Sequence, residues 1–336
     1  MDLSTSYMGM QLRNPLVASA SPLSYTLDGI RRLAEAGVGA IVMFSLFEEQ
    51  LREEAAHNVE LTEGPEESFP EALNYVPEVV KEDPGPRRYL TLLERAAATV
   101  DIPVIASLNG VTAEGWTEYA REMQDAGAAA IELNIYYLPG SSRVSGREVE
   151  QRHVDVLQAI KSVVSVPVAV KLSPYFSSTG EIALRLDEAG ADALVLFNRF
   201  LQPDVDPEEL AVLPDVRLSH PADARLARAW IALLRGRVRA ALAATTGVEG
   251  PADVASYLLA GADVVMSASA LLRHGPGHAS VLLDGLSSWM ERKGFHSIAQ
   301  LRGLLAVPST ADEAEYERAG YVSAMREANI RTQGPW

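Results

Sequence analysis

The amino-acid sequence predicts an α/β protein with the architecture of a (β/α)8, or TIM, barrel. Two observations carry this prediction: short apolar segments of two kinds alternate along the 336 residues, and segments of helical length lie between them. Eight strand–helix units in about 300 residues describe a barrel of this type. A doubly wound parallel sheet is the alternative, but the Gly-x-Gly-x-x-Gly turn expected after its first strand is missing.

Four of the predicted strands follow an Ala-Gly pair, which marks the end of the preceding helix. Glycine just past a helix adopts the left-handed conformation that closes the helix without a Cβ penalty. The runs that follow are too short for helices and are apolar on both faces, as buried parallel strands are. The pairs are Ala36-Gly37, Ala126-Gly127, Ala189-Gly190 and Ala260-Gly261, followed by runs at 40–43, 130–133, 193–196 and 264–266.

The other four predicted strands lie between these, and proline introduces three of them. They occupy residues 14–18, 102–106, 166–170 and 238–243, of which the last lacks the proline. Proline at the start of a strand costs no hydrogen bond of the sheet. Helical stretches such as 116–126, 148–163 and 222–234 separate the strands.

Two connections are long, residues 45–86 after the second strand and 199–220 after the sixth. Both leave the carboxyl ends of their strands, the face on which barrel active sites lie, so we expect them to form walls or lids of a site. Plain surface loops are the alternative. Without a linker or low-complexity segment, the chain is expected to form one domain over 1–336, with a helical C-terminal tail at 294–336.

Composition excludes several classes of function. With 45 acidic and 29 basic residues the net charge is −16, which argues against nucleic-acid and anionic-membrane partners. The chain has no cysteine, and hence no disulfide, thiol nucleophile or cysteine-bound metal. It also lacks a basic-then-apolar leader and an apolar run of about 18 residues, so we expect a cytoplasmic protein.

The ends of the predicted strands carry the residues that are suited to chemistry. Small residues follow strands 7 and 8, where the backbone of a barrel can bind phosphate, although tight turns need small residues in any case. Lys171 ends strand 5 and points toward the barrel mouth. It either stabilises negative charge on a bound ring or forms a structural ion pair with Glu132 on the neighbouring strand. The six histidines show no metal-binding spacing, and Gly275-Pro276-Gly277 separates His274 from His278, so no metal site is predicted.

Taken in order, these strand ends resemble the dihydroorotate dehydrogenase family of flavin mononucleotide (FMN) barrels, over roughly residues 5–290. The resemblance rests on Asn14-Pro15 leading to Ser19-Ala20-Ser21, on Glu-Leu-Asn ending at Asn134, on Val-Lys-Leu-Ser-Pro around Lys171, and on Asn198. It implies FMN as cofactor and a homodimer. The implied cofactor-binding residues are Ser19, Ala20, Ser21, Ser45, Ser107, Asn134, Lys171, Asn198, Gly247, Val248, Ala268 and Ser269, with Asn74, Asn134 and Asn198 contacting the substrate.

The sequence departs from the family on the substrate side. Tyr137 stands where the family has a catalytic Cys or Ser, and Phe44 stands where it has a lysine that touches flavin and substrate. In the substrate loop only Asn74 aligns plausibly. Since tyrosine phenols ordinarily have a pKa of about 10, a tyrosine is a better proton donor than base at neutral pH.

The charge of residues 48–83 is a second reason to expect a substrate that differs from that of the family. Residues 48–83 contain twelve acidic and two basic side chains, a net charge of −10, which disfavours an anionic substrate unless these charges form a solvated outer face. The resemblance thus implies an FMN-dependent oxidoreductase acting on a CH–CH bond, with Tyr137 and Lys171 as catalytic residues and an electron acceptor as second partner. Two alternatives stay open: a flavin- or phosphate-binding barrel without redox turnover, and a barrel that binds a sugar phosphate.

Overall fold

A computed structural model of the chain describes residues 1–50, 85–110, 116–137, 140–199, 203–213, 217–311 and 313–332. In this part of the chain, eight parallel strands form a closed ring, in which each strand pairs with the strands before and after it in the chain and the first pairs with the last. The predicted (β/α)8 barrel is therefore confirmed. Its strands are β1 (Leu16–Ala18), β2 (Ala40–Val42), β3 (Val104–Gly110), β4 (Ala130–Ile135), β5 (Val168–Leu172), β6 (Ala193–Leu196), β7 (Ala241–Ala244) and β8 (Val264–Ser267).

Each strand is followed by a helix that covers the outside of the barrel. In the described residues these are α1 (Leu27–Glu35), α2 (Pro86–Ala97), α3 (Trp116–Asp125), α4 (Gly146–Lys161), α5 (Thr179–Glu188), α6 (Ala224–Leu234), α7 (Pro251–Ala260) and α8 (Ser269–His274). Helix α9 (His278–Lys293) follows α8, and α10 (Ile298–Leu301) and α11 (Glu313–Thr332) lie within residues 294–336, the predicted tail. No helix among the described residues is long and apolar enough to cross a membrane.

The four Ala-Gly pairs end helices as predicted. Gly37, Gly127, Gly190 and Gly261 follow helices and have φ of 98°, 93°, 95° and 122°, values that favour glycine because it lacks a Cβ atom. Some strand boundaries differ from the predicted ones by a few residues. The seventh strand is Ala241–Ala244 rather than 238–243, because the N–H groups of Arg239 and Ala240 donate to the carboxylate of Asp187 instead of to a neighbouring strand.

The amino ends of the strands are closed by a hairpin of Thr5–Tyr7 and Met10–Leu12. Its side chains Tyr7, Met8 and Leu12 pack into a cluster with the inward-facing residues of the barrel strands, many of them alanines. The small alanines leave space that the hairpin fills, and a separate, larger core lies between the strands and the helices.

The two long connections differ in how much of them is described. Of residues 45–86, the stretch 51–84 lies outside the described residues, while Leu46–Phe47 forms a short parallel strand that extends the sheet beside β3. The connection after β6 contains a hairpin, Asp204–Asp206 paired with Ala211–Leu213. Its apolar side chains Val205, Leu210 and Val212 are exposed.

Candidate functional site

A pocket of about 230 Å³ opens at the carboxyl ends of the strands, the face on which barrel sites are expected. We call it the mouth pocket. It is lined by residues that follow β1, β5, β6, β7 and β8. Eight of the predicted site residues line it: Ser19, Ala20, Lys171, Asn198, Gly247, Val248, Ala268 and Ser269. Residues up to 250 positions apart are thus brought to one place by the closure of the barrel.

Lys171 reaches this pocket from inside the barrel and pairs with Glu132. Their Nζ and Oε1 atoms are 3.3 Å apart, and the side chains are only 9% and 1% exposed. Glu132 lies in register with Ala169, two residues before Lys171 on the next strand, so its carboxylate approaches the ammonium from the layer below. The ion pair that the sequence left as an alternative for Lys171 is therefore present, at the wall of the pocket.

Beside this pair, two amide side chains are fixed against each other. Asn134 is in register with Lys171, and its Oδ1 accepts a 2.7 Å hydrogen bond from Nδ2 of Asn198. The backbone of Asn198 is held in turn, because its N–H donates to the carbonyl of Leu172. This hydrogen bond leaves Nδ2 of Asn134 as a donor and Oδ1 of Asn198 as an acceptor for a ligand.

The turns after β7 and β8 are bridged by a residue that the sequence analysis missed, Ser219. The N–H of Gly247 donates to its Oγ at 3.1 Å, and the N–H of Ser219 donates to Oγ of Ser269 at 2.9 Å. These residues are 28 and 50 positions from Ser219 along the chain. No spacing signal could therefore have identified it. We call Gly247, Ser219 and Ser269 the phosphate turn of the mouth pocket, after the ligand that the sequence predicts there.

Gly247 is required at this turn for two reasons. Its φ is +70°, and a Cβ atom there would lie 2.8 Å from both the amide nitrogen of Ala224 and the carbonyl oxygen of His220. The preceding Thr246 also has a positive φ, +80°. Its carbonyl accepts a 2.7 Å hydrogen bond from the Tyr257 hydroxyl, which helps to hold a conformation that β-branched residues rarely adopt. Replacement of Gly247 would thus strain the fold whether or not a ligand binds.

The lining of the mouth pocket is positive, although the whole chain is acidic. Among its described lining residues, Lys171, Arg199 and Arg217 are basic and none is acidic. Each of the three pairs with a carboxylate outside the lining, namely Glu132, Asp223 and Asp204 respectively. Arg273 stands behind the phosphate turn, where it donates to the Ser219 carbonyl at 2.6 Å. Arg273 and His274 share the carboxylate of Glu249, whose pKa these hydrogen bonds hold below its usual value against the opposing effect of burial. This charge distribution fits an anionic ligand.

Other predicted residues lie on the β1–β3 side rather than in the lining. Oγ of Ser45 and Oγ of Ser107 are 2.9 Å apart. The N–H of Ser107 donates to the hydroxyl of Tyr89, and burial raises the pKa of that phenol, which stays neutral. The Ser21 carbonyl accepts a hydrogen bond from the Ser24 hydroxyl. Asn74 lies outside the described residues.

Phe44 lies in an aromatic cluster rather than at a charged site. Its ring makes edge contacts with Tyr25 and Tyr89, at centroid distances of 4.6 and 5.0 Å, and it is buried. Its N–H donates to the hydroxyl of Ser24, which ties the ends of β1 and β2 together. The position at which the family has a lysine is thus an apolar wall in this chain.

Tyr137 follows β4 by two residues and does not belong to the described lining of the mouth pocket. The guanidinium carbon of Arg152 lies 4.2 Å from the centre of its ring, which is a cation–π contact. A positive charge therefore accompanies the phenol. Its assignment as the proton donor stays a prediction.

Comparison with known proteins agrees with this geometry. The protein-family model described as "Dihydroorotate dehydrogenase" matches residues 2–290. The chain belongs to the dihydroorotate dehydrogenase family.

Relatives within this family are distant but cover most of the chain. The chain is 27% identical to the catalytic subunit of dihydroorotate dehydrogenase B (NAD(+)) of Methanothermobacter thermautotrophicus, over 90% of this chain and 98% of that protein. It is 26% identical to a putative dihydroorotate dehydrogenase A (fumarate) of Aeropyrum pernix, over 90% and 97%. It is 25% identical to the NAD-dependent dihydropyrimidine dehydrogenase subunit PreA of Escherichia coli, over 90% and 76%.

In the part of the chain that is described, no three His, Cys, Asp or Glu side chains gather suitably for a metal ion. His274 ends α8 and His278 begins α9, so the Gly-Pro-Gly segment separates two helices as expected. Nε2 of His278 bonds to the carbonyl of Glu249. These side chains brace the loop behind the phosphate turn.

Proposed function

We propose that this protein is an FMN-dependent oxidoreductase that acts on a CH–CH bond of a pyrimidine-type or related cyclic or enoate substrate. One observation carries the proposal: Lys171, Asn198 and the phosphate turn line the same pocket, and Asn134 is hydrogen-bonded to Asn198. Membership in the dihydroorotate dehydrogenase family supports it, as do relatives that are named for oxidation of dihydroorotate and dihydropyrimidine.

The residues of the mouth pocket fit FMN by their chemistry. The hydroxyl of Ser269 accepts hydrogen bonds from Ser219 and can donate its own proton to a phosphate, and the N–H of Gly247 can do so once it leaves Oγ of Ser219. The described lining contains three basic residues and no carboxylate. The small residues Ser19 and Ala20 allow a flat ring system to approach the backbone. Lys171 lies where its ammonium can meet the polar edge of such a ring.

When bound, FMN supplies the acceptor or donor of a hydride, which is the step that side chains cannot perform. Lys171 then stabilises negative charge on the ring from within a buried environment, where an ammonium acts strongly. Asn134 and Asn198, fixed by their mutual hydrogen bond, orient the ring and the substrate. Tyr137 is assigned the proton transfer, with its Oη donating in the reductive direction.

The aromatic cluster favours a substrate that is less anionic than dihydroorotate. With Phe44 in place of a lysine, a carboxylate substrate lacks a charged hydrogen bond worth about 1.5–3 kcal/mol. That loss alone weakens binding roughly tenfold or more, at about 1.4 kcal/mol per decade. A flavin- or phosphate-binding barrel without dihydroorotate turnover is therefore the second candidate function.

The visible absorption spectrum of the purified protein tests the proposal directly. We expect a yellow protein with about one FMN per chain. Under anaerobic conditions, a dihydropyrimidine or the electron donor of an enoate reductase should reduce the bound FMN. A colourless protein that takes up no added FMN would refute the proposal and leave a sugar-phosphate barrel. Bound FMN that no such substrate reduces would support the binding barrel instead.

We further predict that turnover of dihydroorotate is weak or absent. Steady-state assays with dihydroorotate and fumarate, a quinone or NAD as acceptor measure it, and the Tyr137→Phe variant is the comparison. Turnover of many per second that is insensitive to Tyr137→Phe would show that both the proton donor and the substrate class are wrongly assigned.

A further inference from the structure

Glu132 is a buried carboxylate whose position the fold alone does not explain. Its side chain is 1% exposed and lies inside the barrel, in register with Ser107 on one side and Ala169 on the other. Oε1 meets Nζ of Lys171 at 3.3 Å, and Oε2 has no hydrogen-bond partner among the described residues. Burial of a carboxylate in this way is costly unless a cation compensates it.

The ion pair brings little stability in return. Replacement of a buried pair by neutral side chains of similar volume is often neutral or stabilising, because desolvation offsets the attraction between the charges. The neighbouring inward-facing residues Ala169 and Ala193 are small and apolar, so a neutral residue of similar size would suit this layer of the barrel as well. Stability of the fold therefore does not account for the ion pair, whereas a role in the mouth pocket above Lys171 does.

We propose that Glu132 is a positioning residue that acts through Lys171 on the bound flavin, holding the ammonium at the pocket wall and offsetting part of its charge. This inference rests on the proposed FMN site. Lys171 has a carboxylate below it, in the layer nearer the amino ends of the strands, and the pocket above it. Its position is thereby fixed between the Glu132 carboxylate and the flavin ring, which becomes the second negatively charged partner when the flavin is reduced.

The sign of the effect follows from the charges. Reduction of the flavin places negative charge on the ring, which Lys171 stabilises. The carboxylate of Glu132 weakens this stabilisation, since it lies 3.3 Å from the same ammonium and has the sign of the reduced ring. Removal of the Glu132 charge is therefore expected to favour the reduced flavin.

The test is the flavin reduction potential of the FMN-loaded protein, measured by spectroelectrochemical titration. Glu132→Gln keeps the shape and removes the charge. We expect the equilibrium constant for two-electron reduction to increase at least tenfold, a rise of about 30 mV. In a Lys171→Met background the same substitution should change the potential less, because the ammonium through which Glu132 acts on the ring is absent.

Glu150→Gln is the matched control. Glu150 is also buried and pairs with Arg185 at 3.4 Å, but it belongs to α4 outside the barrel. We expect the flavin reduction potential of Glu150→Gln to equal that of the wild type. An equal shift in Glu150→Gln, or no shift in Glu132→Gln, would overturn the inference and leave the proposed FMN site intact.

Two further outcomes are decisive. If Glu132→Gln does not fold, Glu132→Asp withdraws the carboxylate by one methylene group and should raise the potential as well, so an unchanged value overturns the inference. If the wild-type protein takes up no FMN, the proposed function itself fails and the inference fails with it. The wild-type spectrum thus separates the two failures.

Discussion

Replacement of Lys171 by alanine is expected to affect both stability and flavin binding. The sequence alone predicts that Lys171→Ala weakens flavin binding or flavin reduction far more than it lowers stability. The structure adds that the ammonium compensates Glu132, with the two side chains 9% and 1% exposed. Loss of one partner of a buried ion pair leaves an uncompensated charge and costs about 3–5 kcal/mol. We therefore expect the free energy of unfolding of the FMN-free protein to fall by about that amount at pH 7, measured by urea titration.

A double variant separates the charge from the shape of the side chain. Lys171→Met combined with Glu132→Gln removes both charges and retains most of the volume, so its unfolding free energy should lie within about 1 kcal/mol of wild type. FMN binding should remain impaired in it, because the ammonium is absent. If Lys171→Ala lowers stability by less than about 1 kcal/mol, the contact with Glu132 does not compensate that carboxylate.

The remaining predictions concern the phosphate turn and the pH dependence of folding. Ser219→Ala should raise the dissociation constant of FMN about tenfold, because a hydrogen bond to a charged group is worth about 1.5–3 kcal/mol. Fluorescence titration measures this constant. An unchanged or lower value would show that the Ser219 hydroxyl competes with the phosphate for the N–H of Gly247. Burial lowers the pKa of His153, so the folded protein holds it neutral while the unfolded chain binds a proton below about pH 6.5. Stability should therefore fall as pH decreases below 6.5, by at most about 1.4 kcal/mol per pH unit from this side chain. The difference in unfolding free energy between pH 7 and pH 5 should be smaller in His153→Gln, and an equal difference would contradict this.

The periodicity of the sequence was enough to predict the barrel. Buried parallel strands are apolar on both faces, and glycine after a helix marks where each strand follows, so the βα units can be counted without long-range information. The prediction was wrong by three residues at the start of β7, where proline is missing and where the N–H groups of Arg239 and Ala240 donate to the carboxylate of Asp187. The N-terminal hairpin was not predicted, because its three-residue strands give too short a pattern.

The candidate site was predictable only where a residue type and a strand end coincide. Lys171, Asn134 and Asn198 stand at strand ends, and barrel sites lie at the carboxyl ends of strands, so the order of the strands along the chain is enough to group these three residues. Ser219 could not be found in this way. It lies in a long connection, and its contacts to Gly247 and Ser269 arise from the path of that connection over the barrel mouth.

By itself, the sequence determined the fold class, the end of the barrel that carries the site, and the types of residue available there, because each depends on local pattern. Only the tertiary structure decided which of them meet. It showed that Lys171 has Glu132 as its partner, that Phe44 packs with Tyr25 and Tyr89, and that Ser219 bridges two turns. Such contacts depend on strand register and on loop paths, which relate residues distant in the chain and leave no short-range signal.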